Sequence, residues 1–479
     1  MIGLWLFLNV VGVVLLVVLI RTFRFVPGVE APVEEAHETL DDQRVIESLQ
    51  KMIQFKTISY KDKTLEDTQA FKAFLTYLKT RYPLIQEAAQ TKEVQDTGIY
   101  FKIKGLKHDR PVVLMSHYDV VPENGTWNHD PFSGKLIEGT IYGRGTLDTK
   151  ATLACVMESV EQLLKEDYTF KQDLYLCFSG DEETRGPSAA NIVSELNKAG
   201  VKPALVLDEG GAVVSDVFPG VKKQAAMIGV AEKGYINMRV SATSPGGHAA
   251  MPPVNSPVTE LAEAITRLNK GNVFKLKRTE ATQMMFDHVA RHSLSFGIRM
   301  IFANLWLFWP LVKLLAKKSG GELKSLLHTT QAFTMMEGSN AMNVLPSEAS
   351  IGINYRILTG ETVQSVHEKM KHRMANPKLL TEFKYRAEPT SISRTDGSYE
   401  QLKSAIHKTW GDVVTVPYLM MAGTDSRYYH AISDHVYRFS PMMMSKAERE
   451  TIHSTEEAIR VEQLLKCARF YVTLLKTVC

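Results

Sequence analysis

Cysteine is scarce in this sequence of 479 residues. The four cysteines, at positions 155, 177, 467 and 479, are scattered, and no two are separated by only two residues. This pattern argues against a cysteine zinc knuckle and against a dense disulfide framework. Cys177 lies in the apolar run 174–179, where a small hydrophobic thiol is expected to be buried and unreactive.

The sequence also lacks an excess of charge of one sign. The formal net charge is only +3, and no basic stripe with interleaved aromatic residues is present, which argues against a nucleic-acid partner. The Gly143-x-Gly145 segment has neither the third glycine of a dinucleotide fingerprint nor the Gly-Lys-Ser/Thr of a P-loop. No Gly-x-Ser-x-Gly elbow and no His-Glu-x-x-His helix occurs.

One long uncharged run is present, at residues 2–20. About 20 apolar residues can cross a bilayer as a helix, so residues 1–25 are predicted to be a single-pass membrane anchor. A cleaved signal peptide is the alternative, but it normally begins with basic residues, whereas Arg21 and Arg24 follow this run. These arginines favour a cytoplasmic catalytic part, and a glycosylation sequon at Asn124 favours the other side, so the side of the membrane stays open.

The length suits two to three domains. Residues 26–44, with Pro27, Pro32 and several acids, are predicted to be a linker. In residues 45–230, near-continuous apolar strands at 112–116, 174–179 and 204–208 alternate with helical stretches near 150–165 and 188–199. This alternation predicts the first part of an α/β catalytic domain, with a mostly parallel sheet and helices on both faces.

The pattern changes between residues 231 and 389. Apolar and polar residues alternate over 235–242 and 350–357, and helical stretches lie near 257–269 and 361–374. Strands with one solvent-exposed face suit an antiparallel sheet, so a smaller α+β domain is predicted to be inserted here. Residues 390–479 again alternate apolar strands with helices and are predicted to form the second part of the catalytic domain.

Acidic and histidine residues follow the apolar strands directly. His117 and Asp119 follow the first strand, Asp181-Glu182-Glu183 follows the second, and the third runs into Asp208-Glu209. In an open α/β sheet, ligands bind at the carboxyl ends of the strands, so these side chains are expected in one crevice. A glycine-rich turn that opens a helix can hold Asp148 near the same point.

Such a cluster needs a compensating charge. Closely packed carboxylates repel one another and resist ionisation unless a cation is present. Imidazole and carboxylate ligands without thiolate suit zinc, and less often manganese or cobalt. A lone Asp or Glu after a strand is usually a capping or solvated side chain, but the repetition at successive strand ends indicates a metal site.

The motifs resemble the aminoacylase/carboxypeptidase family of two-zinc metallopeptidases. They lie in the order of that family over roughly residues 45–475. They are Ser-His-Tyr-Asp-Val-Val-Pro, Asp-Pro-Phe-Ser-Gly, Ile-Tyr-Gly-Arg-Gly-Thr-Leu-Asp-Thr-Lys, Gly-Asp-Glu-Glu-Thr-Arg-Gly, Asp-Glu-Gly-Gly, Gly-Gly-His-Ala-Ala-Met-Pro-Pro, Asn-Val-Leu-Pro and Gly-Thr-Asp-Ser-Arg. The implied reaction is hydrolysis of an amide bond next to a free carboxylate, with two zinc ions as cofactors.

The resemblance also implies a role for each matching position. The implied metal ligands are His117 and Asp208 for the first metal, Asp148 for both and Glu183 for the second, with His453 as the last ligand. Glu182 is the implied general base and Asp119 the carboxylate that orients His117. His248 is implied to hold the oxyanion, often across a homodimer formed through the inserted domain. Arg356 and Asn343 are implied to grip the substrate carboxylate, and Thr424 and Arg427 to line the pocket or to serve the structure.

Two positions depart from the family pattern. Thr149 stands where the family usually has a second aspartate before the lysine, a change that leaves the ligand Asp148 in place. Asn354 stands where the usual Asp-x-Arg begins, so Arg356 remains but its orientation is open.

The substrate is narrowed by an apolar segment at residues 293–315. It is interrupted by Arg299, Asn304 and Pro310, so a second transmembrane helix is not expected. It suits lid core or a dimer interface, or else a wall for an acyl chain or a surface that enters the bilayer. The segments 304–308, 436–439 and 423–427 resemble the N-fatty-acyl-amino-acid synthase/hydrolases and the carboxypeptidase S type.

N-acyl-amino acids, with long acyl chains and in a reversible reaction, are therefore the favoured small-molecule substrates. A membrane-anchored carboxypeptidase or dipeptidase that acts on small peptides is the alternative. A catalytically silent metal-binding scaffold is the alternative from a different class.

Overall fold

The computed structural model describes residues 2–28, 34–95, 97–215, 218, 220–271 and 273–479. The helices are α1 (Ile2–Arg24), α2 (Asp42–Ile53), α3 (Thr68–Arg81), α4 (Pro83–Ala88), α5 (Lys150–Lys165), α6 (Ser188–Lys198), α7 (Pro257–Asn269), α8 (Glu280–His292), α9 (Phe296–Ala303), α10 (Leu305–Ser319), α11 (Gly321–Leu327), α12 (Val363–Met374), α13 (Ser398–Trp410), α14 (Lys446–Glu450) and α15 (Val461–Val478). Two 3-10 helices span Lys63–Leu65 and Asp425–Ala431.

The strands form four sheets. They are β1 (Ala89–Val94), β2 (Gly98–Ile103), β3 (Lys107–His117), β4 (Lys135–Ile137), β5 (Thr140–Tyr142), β6 (Gln172–Ser179), β7 (Leu205–Asp208), β8 (Val213–Val214), β9 (Ala225–Glu232), β10 (Gly234–Thr243), β11 (Gly247–His248), β12 (Thr330–Glu337), β13 (Val344–Leu345), β14 (Glu348–Ile357), β15 (Leu380–Ala387), β16 (Val414–Met420), β17 (Val436–Arg438) and β18 (Ala458–Arg460).

The largest sheet has nine strands and carries the predicted α/β pattern. Its order is β1-β2-β6-β3-β7-β17-β9-β16, with β8 paired to β9. The strands β6, β3, β7 and β17 run parallel to one another, and β9 runs parallel to β16. The fold class predicted from the sequence, an α/β catalytic domain with an inserted smaller domain, is confirmed.

Both faces of this sheet are covered, which explains why its strands read as continuous apolar runs. Successive side chains of a strand point to opposite faces. In β3, Val112 and Leu114 join the main hydrophobic core with α2, α3, α5 and α15. Val113 and Met115 join a second core with Ile192 and Leu196 of α6. Cys177 is buried in that second core, as predicted.

The inserted domain contains a four-stranded antiparallel sheet of order β12-β14-β10-β15. Alternate residues of β10 and β14, including Ile236, Val240 and Ile353, pack against α7 and α12 to form a separate core. A two-stranded sheet, β11–β13, lies in the same part of the chain. β9 of the nine-stranded sheet is followed directly by β10 of the small sheet, and β15 is the last strand of the small sheet in the sequence.

One part of the predicted inserted segment packs elsewhere. Met285 and Phe286 of α8, together with Leu305 and Val312 of α10, belong to the main core, and α8 packs against β16 of the nine-stranded sheet. Residues 293–315 therefore do not form the core of the lid, which was one of the alternatives, because their buried side chains join the core of the catalytic domain. The chain leaves the small domain after α7, covers the catalytic sheet with α8–α11, and returns at β12.

The N-terminal helix α1 is the one single helix among the described residues that is long and apolar enough to cross a membrane. Length and composition alone do not separate an anchor from a signal sequence near an N-terminus. The helices α9 and α10 pass the same test only as a pair, and their axes are bent by 112°. In the predicted linker, residues 29–33 lie outside the described residues, and Ala36 donates its backbone N–H to Lys408.

Candidate metal centre and substrate cleft

The functional residues meet at the carboxyl edge of the parallel strands. β3 ends at His117, which pairs in register with Ser179 at the end of β6. β7 lies on the other side of β3 and ends at Asp208. A third contribution comes from the glycine-rich turn before α5, which holds Asp148. The parallel register thus brings together side chains that are up to about ninety residues apart in the sequence.

Asp148 lies at the centre of this group. One of its carboxylate oxygens is 2.9 Å from His117 Nε2, and the other is 3.0 Å from His453 Nε2. Glu183 approaches the same nitrogen of His453 at 3.2 Å, and Glu209 approaches His117 Nε2 at 3.2 Å. Two groups of donor atoms result, each within 4.8 Å, and they share Asp148.

The shared carboxylate is the arrangement expected of a two-metal site. The first group is His117, Asp148 and Glu209, and the second is Asp148, Glu183 and His453. His453 is about 270 residues or more in the sequence from the other three predicted ligands in these groups. It adopts a positive φ of 61°, a conformation uncommon for residues other than glycine. Four of the five predicted ligands are therefore brought together.

The fifth predicted ligand, Asp208, lies next to a second acid that also offers a donor atom. The structure places Glu209, the next residue, beside His117. The Asp208 carboxylate instead accepts hydrogen bonds from the backbone N–H groups of Ser426, at 2.8 Å, and of Glu209, at 2.9 Å. Asp208 therefore ties β7 to the 3-10 helix at Asp425–Ala431, and Glu209 offers a further candidate donor atom beside His117. Asp208 as a metal ligand stays a prediction.

The charges of the site fit a bound cation. Burial lowers the pKa of His117, but the carboxylates of Glu209, Asp119 and Asp148 outweigh this and raise it well above its ordinary value. Burial and the neighbouring Asp148 raise the pKa of Glu209 well above its ordinary value. Hydrogen bonds to Asp148 and Glu183 raise the pKa of His453 to about 10. Buried carboxylates that resist ionisation in this way fit a divalent cation held by oxygen and nitrogen donors.

Asp119 positions both His117 and the loop that carries Glu182 and Glu183. Its carboxylate is fully buried, lies 3.3 Å from His117 Nδ1, and accepts a hydrogen bond from the Ser59 hydroxyl at 2.7 Å. It also accepts the backbone N–H groups of Glu182 and Glu183, both at 3.1 Å. A single carboxylate therefore fixes both the imidazole and the loop that carries two predicted site residues.

Glu182 lies beside the donor groups and faces a small cavity of about 30 Å³. Its pKa is raised well above the ordinary value by burial and by the nearby Asp425, Glu209 and Glu183. Tyr235 and Arg185 line the same cavity. A carboxyl group with a raised pKa beside a cavity is a candidate for proton transfer to and from a molecule bound there.

Glu457 holds the glycine-rich turn that carries Asp148, and the sequence reasoning missed it. It is fully buried and accepts the backbone N–H groups of Gly145, Leu147 and Asp148 at 2.8–3.2 Å. Arg144 donates to its second oxygen at 2.8 Å. The only signal in the sequence is its place four residues after His453 in Thr-Ile-His-Ser-Thr-Glu-Glu.

An arginine cluster adjoins Glu182. The guanidinium groups of Arg185, Arg427 and Arg356 lie 4.2, 4.9 and 5.6 Å from the centre of the Tyr235 ring, which stacks on Tyr385. Burial and the Arg185 guanidinium lower the pKa of Arg356. Arg185 was not predicted as a site residue, because nothing in the sequence near Glu183 shows that it reaches the inserted domain.

Among the described residues, Arg185 and Arg356 form no ion pair, whereas Arg427 lies 3.6 Å from Glu232 and donates to the Glu388 carbonyl. Arg185 and Arg356 therefore have positive charge that no carboxylate of the described residues neutralises. Thr424 also borders the cavity, but its hydroxyl donates to Glu232 at 2.9 Å, which indicates a structural role.

His248 and Asn343 lie together on the exposed two-stranded sheet. His248 pairs with Val344, and the Asn343 carbonyl accepts the Ala249 N–H at 3.0 Å. Within the described part of the chain, neither side chain forms a hydrogen bond or an ion pair with the residues around Asp148. The structure thus brings these two predicted residues to each other but not to the metal centre.

The two departures from the family pattern have local effects. The Thr149 hydroxyl is buried without a hydrogen-bond partner among the described residues, and the Asp148–Thr149 peptide bond is cis. Asn354 donates its side-chain amide to Asn237 at 2.6 Å, across the β10–β14 pair. Asn354, two residues before Arg356 on β14, therefore does not form an ion pair with it. The Arg356 guanidinium lies over the Tyr235 ring instead.

The fold and the paired donor groups define a class of protein, the metallopeptidase-type hydrolases. The chain belongs to the family whose model is described as "Peptidase family M20/M25/M40", which matches residues 113–477. The reaction of this class is the hydrolysis of an amide bond.

Two curated relatives cover nearly the whole chain. "Probable carboxypeptidase S-like 2" from Dictyostelium discoideum is 32% identical, over 97% of this chain and 92% of its own length. "N-fatty-acyl-amino acid synthase/hydrolase PM20D1" from Xenopus tropicalis is 31% identical, over 97% of this chain and 93% of its own length.

Two solved structures show the same fold at low identity. An M20 family metallo-carboxypeptidase, Sso-CP2 from Sulfolobus solfataricus, has a TM-score of 0.67 at 17% identity and covers 91% of this chain and 99% of its own. The YXEP protein of Bacillus subtilis, described as a dinuclear metal binding peptidase, has a TM-score of 0.54 at 15% identity and covers 91% of this chain and 97% of its own.

Proposed function

We propose that this chain hydrolyses N-acyl-amino acids and prefers long acyl chains. The observation that carries the proposal is the pair of donor groups that share Asp148, placed beside two arginines with no anionic partner among the described residues. The first feature suits amide hydrolysis, and the second suits the free carboxylate of an amino acid.

The donor set supports two metal ions, with zinc as the proposed metal and manganese or cobalt as alternatives. His117, Asp148 and Glu209 hold one ion, and Asp148, Glu183 and His453 hold the other. When bound, such ions lower the pKa of water and polarise the scissile carbonyl. Asp119 orients His117 and the loop of Glu182 throughout the reaction.

The proton is moved by Glu182. In the proposal its carboxylate accepts a proton from the attacking water and delivers it to the leaving amine. Arg356, assisted by Arg185, pairs with the substrate carboxylate and fixes the distance from that group to the amide bond. The low pKa of Arg356, caused by burial and by Arg185, supports this role because an anion between the two guanidinium groups relieves their repulsion.

His248 and Asn343 are proposed to complete the site in a homodimer formed through the inserted domain. His248 is exposed, and Asn343 lies beside it. Their separation from the donor groups supports a role that requires a second copy of the chain. α1 is proposed to anchor the protein in a membrane.

The acyl preference is supported by two observations. A relative at 31% identity over nearly the whole chain is named an N-fatty-acyl-amino acid synthase/hydrolase. Exposed apolar residues of α1 and α10 offer a surface on which a lipid-like substrate can reach the protein. A carboxypeptidase acting on small peptides is the second candidate, favoured by the carboxypeptidase S-like relative.

The test compares three substrates with the full-length chain, purified in detergent and loaded with zinc. Release of phenylalanine is measured from N-oleoyl-phenylalanine, N-acetyl-phenylalanine and glycyl-phenylalanine. The proposal expects the highest kcat/KM for the oleoyl substrate. Preference for glycyl-phenylalanine would establish the carboxypeptidase candidate instead.

Controls separate the hydrolase from a silent scaffold. A chelator and the Glu182→Gln variant are each expected to abolish release of phenylalanine. A protein that binds two equivalents of zinc and releases nothing from any substrate is a metal-binding scaffold, and that result would overturn the proposal.

A further inference from the structure

The C-terminal end of α1 packs against the segment that carries α8–α10. Val18 and Thr22 are buried there, with 4% and 0% of their surface exposed. The Asn304 side-chain amide donates to the Val18 carbonyl and to the Thr22 hydroxyl, both at 3.2 Å. Arg21 donates from Nε to the Ala303 carbonyl at 3.1 Å. Directed polar contacts of this kind are typical of a helix that belongs to the folded protein.

An apolar surface continues from α1 onto α10. Leu307, Leu311, Leu314 and Leu315 are exposed, and their spacing puts them on one face of α10. The adjacent part of α1, residues 2–20, is exposed and uncharged around most of its circumference. A helix that is apolar around its whole circumference is stable in an apolar environment. A lipid bilayer provides that environment for α1 and for the exposed face of α10.

A basic cleft lies where this apolar surface ends. It has a volume of about 640 Å³ and is formed between α1, α8 and the start of α10. Arg21, Arg24, Arg278 and Arg291 line it, against a single lining acid, Asp287. Across the described ranges, none of these four arginines forms an ion pair with a carboxylate. The cleft therefore has an uncompensated positive charge.

Arg291 is held in the cleft by an aromatic ring and by a backbone carbonyl, neither of which carries a full negative charge. Arg291 lies 4.5 Å from the centre of the Phe25 ring and donates to the Val26 carbonyl at 3.4 Å. Trp306 also lines the cleft and is about half exposed, at 53%. Tryptophan and arginine next to an apolar helix are characteristic of the interface where lipid phosphates lie.

We propose that this four-arginine cleft binds the phosphate of an anionic lipid headgroup. The acyl chains of the lipid then lie along α1 and the exposed leucines of α10, and α8 connects the bound lipid to β16 of the catalytic sheet. Arginine suits this ligand because its planar fork of N–H donors matches phosphate oxygens. The inference rests on α1 being retained in the mature protein and does not depend on the proposed acyl-amino-acid substrate.

The shared chemistry is a phosphate anion, so the experiment separates a lipid from free phosphate. Full-length protein in dodecyl maltoside is titrated with dihexanoyl-phosphatidylglycerol, dihexanoyl-phosphatidylcholine and inorganic phosphate, and bound ligand is counted by native mass spectrometry. The expected order of affinity is phosphatidylglycerol first, with phosphatidylcholine and inorganic phosphate weaker. Equal affinity for inorganic phosphate and phosphatidylglycerol would overturn the lipid assignment.

The variants test the arginines directly. Arg278→Gln combined with Arg291→Gln is expected to weaken phosphatidylglycerol binding by about tenfold or more, since each substitution removes a charge-assisted hydrogen bond. Lys104→Gln combined with Lys165→Gln removes the same charge from exposed positions outside the cleft and is expected to leave binding unchanged. Equal binding by both double variants would overturn the proposal.

Two further measurements keep the test decisive. Arg24→Gln, which removes a guanidinium with no ion pair among the described residues, serves as a single variant if the double variant does not fold. Hydrolysis of the best substrate and the melting temperature report folding separately from lipid binding. An intact mass that lacks residues 2–24 would overturn the inference, whatever the hydrolase activity.

Discussion

The nine-stranded sheet and the sheet of the inserted domain place their charged residues differently. In the large sheet, the carboxylates follow the ends of buried parallel strands and are held by backbone N–H groups, as Asp119 and Asp208 show. In the small sheet, Arg356 comes from within β14, and its neighbour Tyr355 points into the core. The metal centre is thus built by one domain, whereas the arginine cluster joins Arg356 to Arg185 across the domain boundary.

The two sets of residues are therefore expected to affect different kinetic parameters. In the proposed reaction, residues of the large sheet stabilise the charges that develop during catalysis, so their substitution should lower kcat. Arg356 binds a part of the substrate that does not react, so its substitution should raise KM. The following predictions test this expectation, from the largest expected effect to the smallest.

Glu182→Gln should lower kcat by about 10²–10⁴-fold, because the amide cannot accept the proton from the attacking water. Zinc content and melting temperature should not change, since the donor groups do not include Glu182. Steady-state release of phenylalanine gives kcat, and plasma mass spectrometry gives the zinc content. Glu87→Gln, at an exposed position, is the control. Normal turnover by the Glu182 variant would refute its role as base.

Glu209→Gln and Asp208→Asn should separate two adjacent acids. Glu209→Gln is expected to weaken one of the two zinc ions by at least about tenfold, since it replaces a carboxylate donor. Asp208→Asn keeps an oxygen that can accept the Ser426 N–H and should retain both ions. Equilibrium dialysis against a competing chelator measures both. Loss of zinc in the Asp208 variant alone would support the assignment made from the sequence.

Arg356→Ala should raise KM by about ten- to a hundredfold with little change in kcat, because a charge-assisted hydrogen bond to the substrate carboxylate is lost. Arg386→Ala is the matched control. Arg386 lies on β15 of the same sheet and packs 5.0 Å from the centre of the Phe383 ring. An equal effect of the two substitutions would show that the inserted domain contributes stability rather than recognition.

Lys233, at the junction of the two sheets, should make stability depend on pH. Burial and then the Arg356 guanidinium lower its pKa from 10.5 to about 7. Between pH 7 and pH 10.5 the unfolded state therefore binds more protons than the folded state, so stability rises with pH in this window. The slope is at most about 1.4 kcal/mol per pH unit.

The Lys233→Met variant should lose this dependence, since methionine does not titrate. Melting temperatures of both proteins between pH 7 and pH 9 give the comparison. Lys222→Met, at an exposed position, is the control and should keep the slope of the parent. A parallel pH dependence of the parent and the Lys233 variant would contradict the prediction.

Much of the architecture was open to prediction because it depends on local patterns. Strands that are buried on both faces have continuous apolar sequences. In strands with one solvent-exposed face, apolar and polar residues alternate. The change of sheet type near Lys233 was therefore visible in the sequence. The helices α5, α7 and α12 lie within two residues of their expected bounds. The precise boundaries of the domains, at 230 and 389, stay a prediction.

The tertiary structure corrected what local patterns do not contain. The segment from α8 to α11 is apolar enough to suit several surroundings, and only its packing on β16 shows that it belongs with the catalytic sheet. Arg185 follows Glu183 by two residues, and its contact with Tyr235 depends on where the inserted domain lies.

The motifs indicated the class of the reaction by their resemblance to a family. By itself, the sequence also predicted a catalytic domain with an inserted smaller domain, and a cluster of His117, Glu182, Glu183 and Asp208 at the ends of neighbouring strands. These follow from residue type and from the rule that side chains at the ends of parallel strands converge. Only the tertiary structure brought Glu209 to His117 as a candidate donor beside the predicted ligand Asp208. The two acids are adjacent at the end of β7, and the Ser426 N–H, more than two hundred residues away, binds the first and leaves the second to face His117.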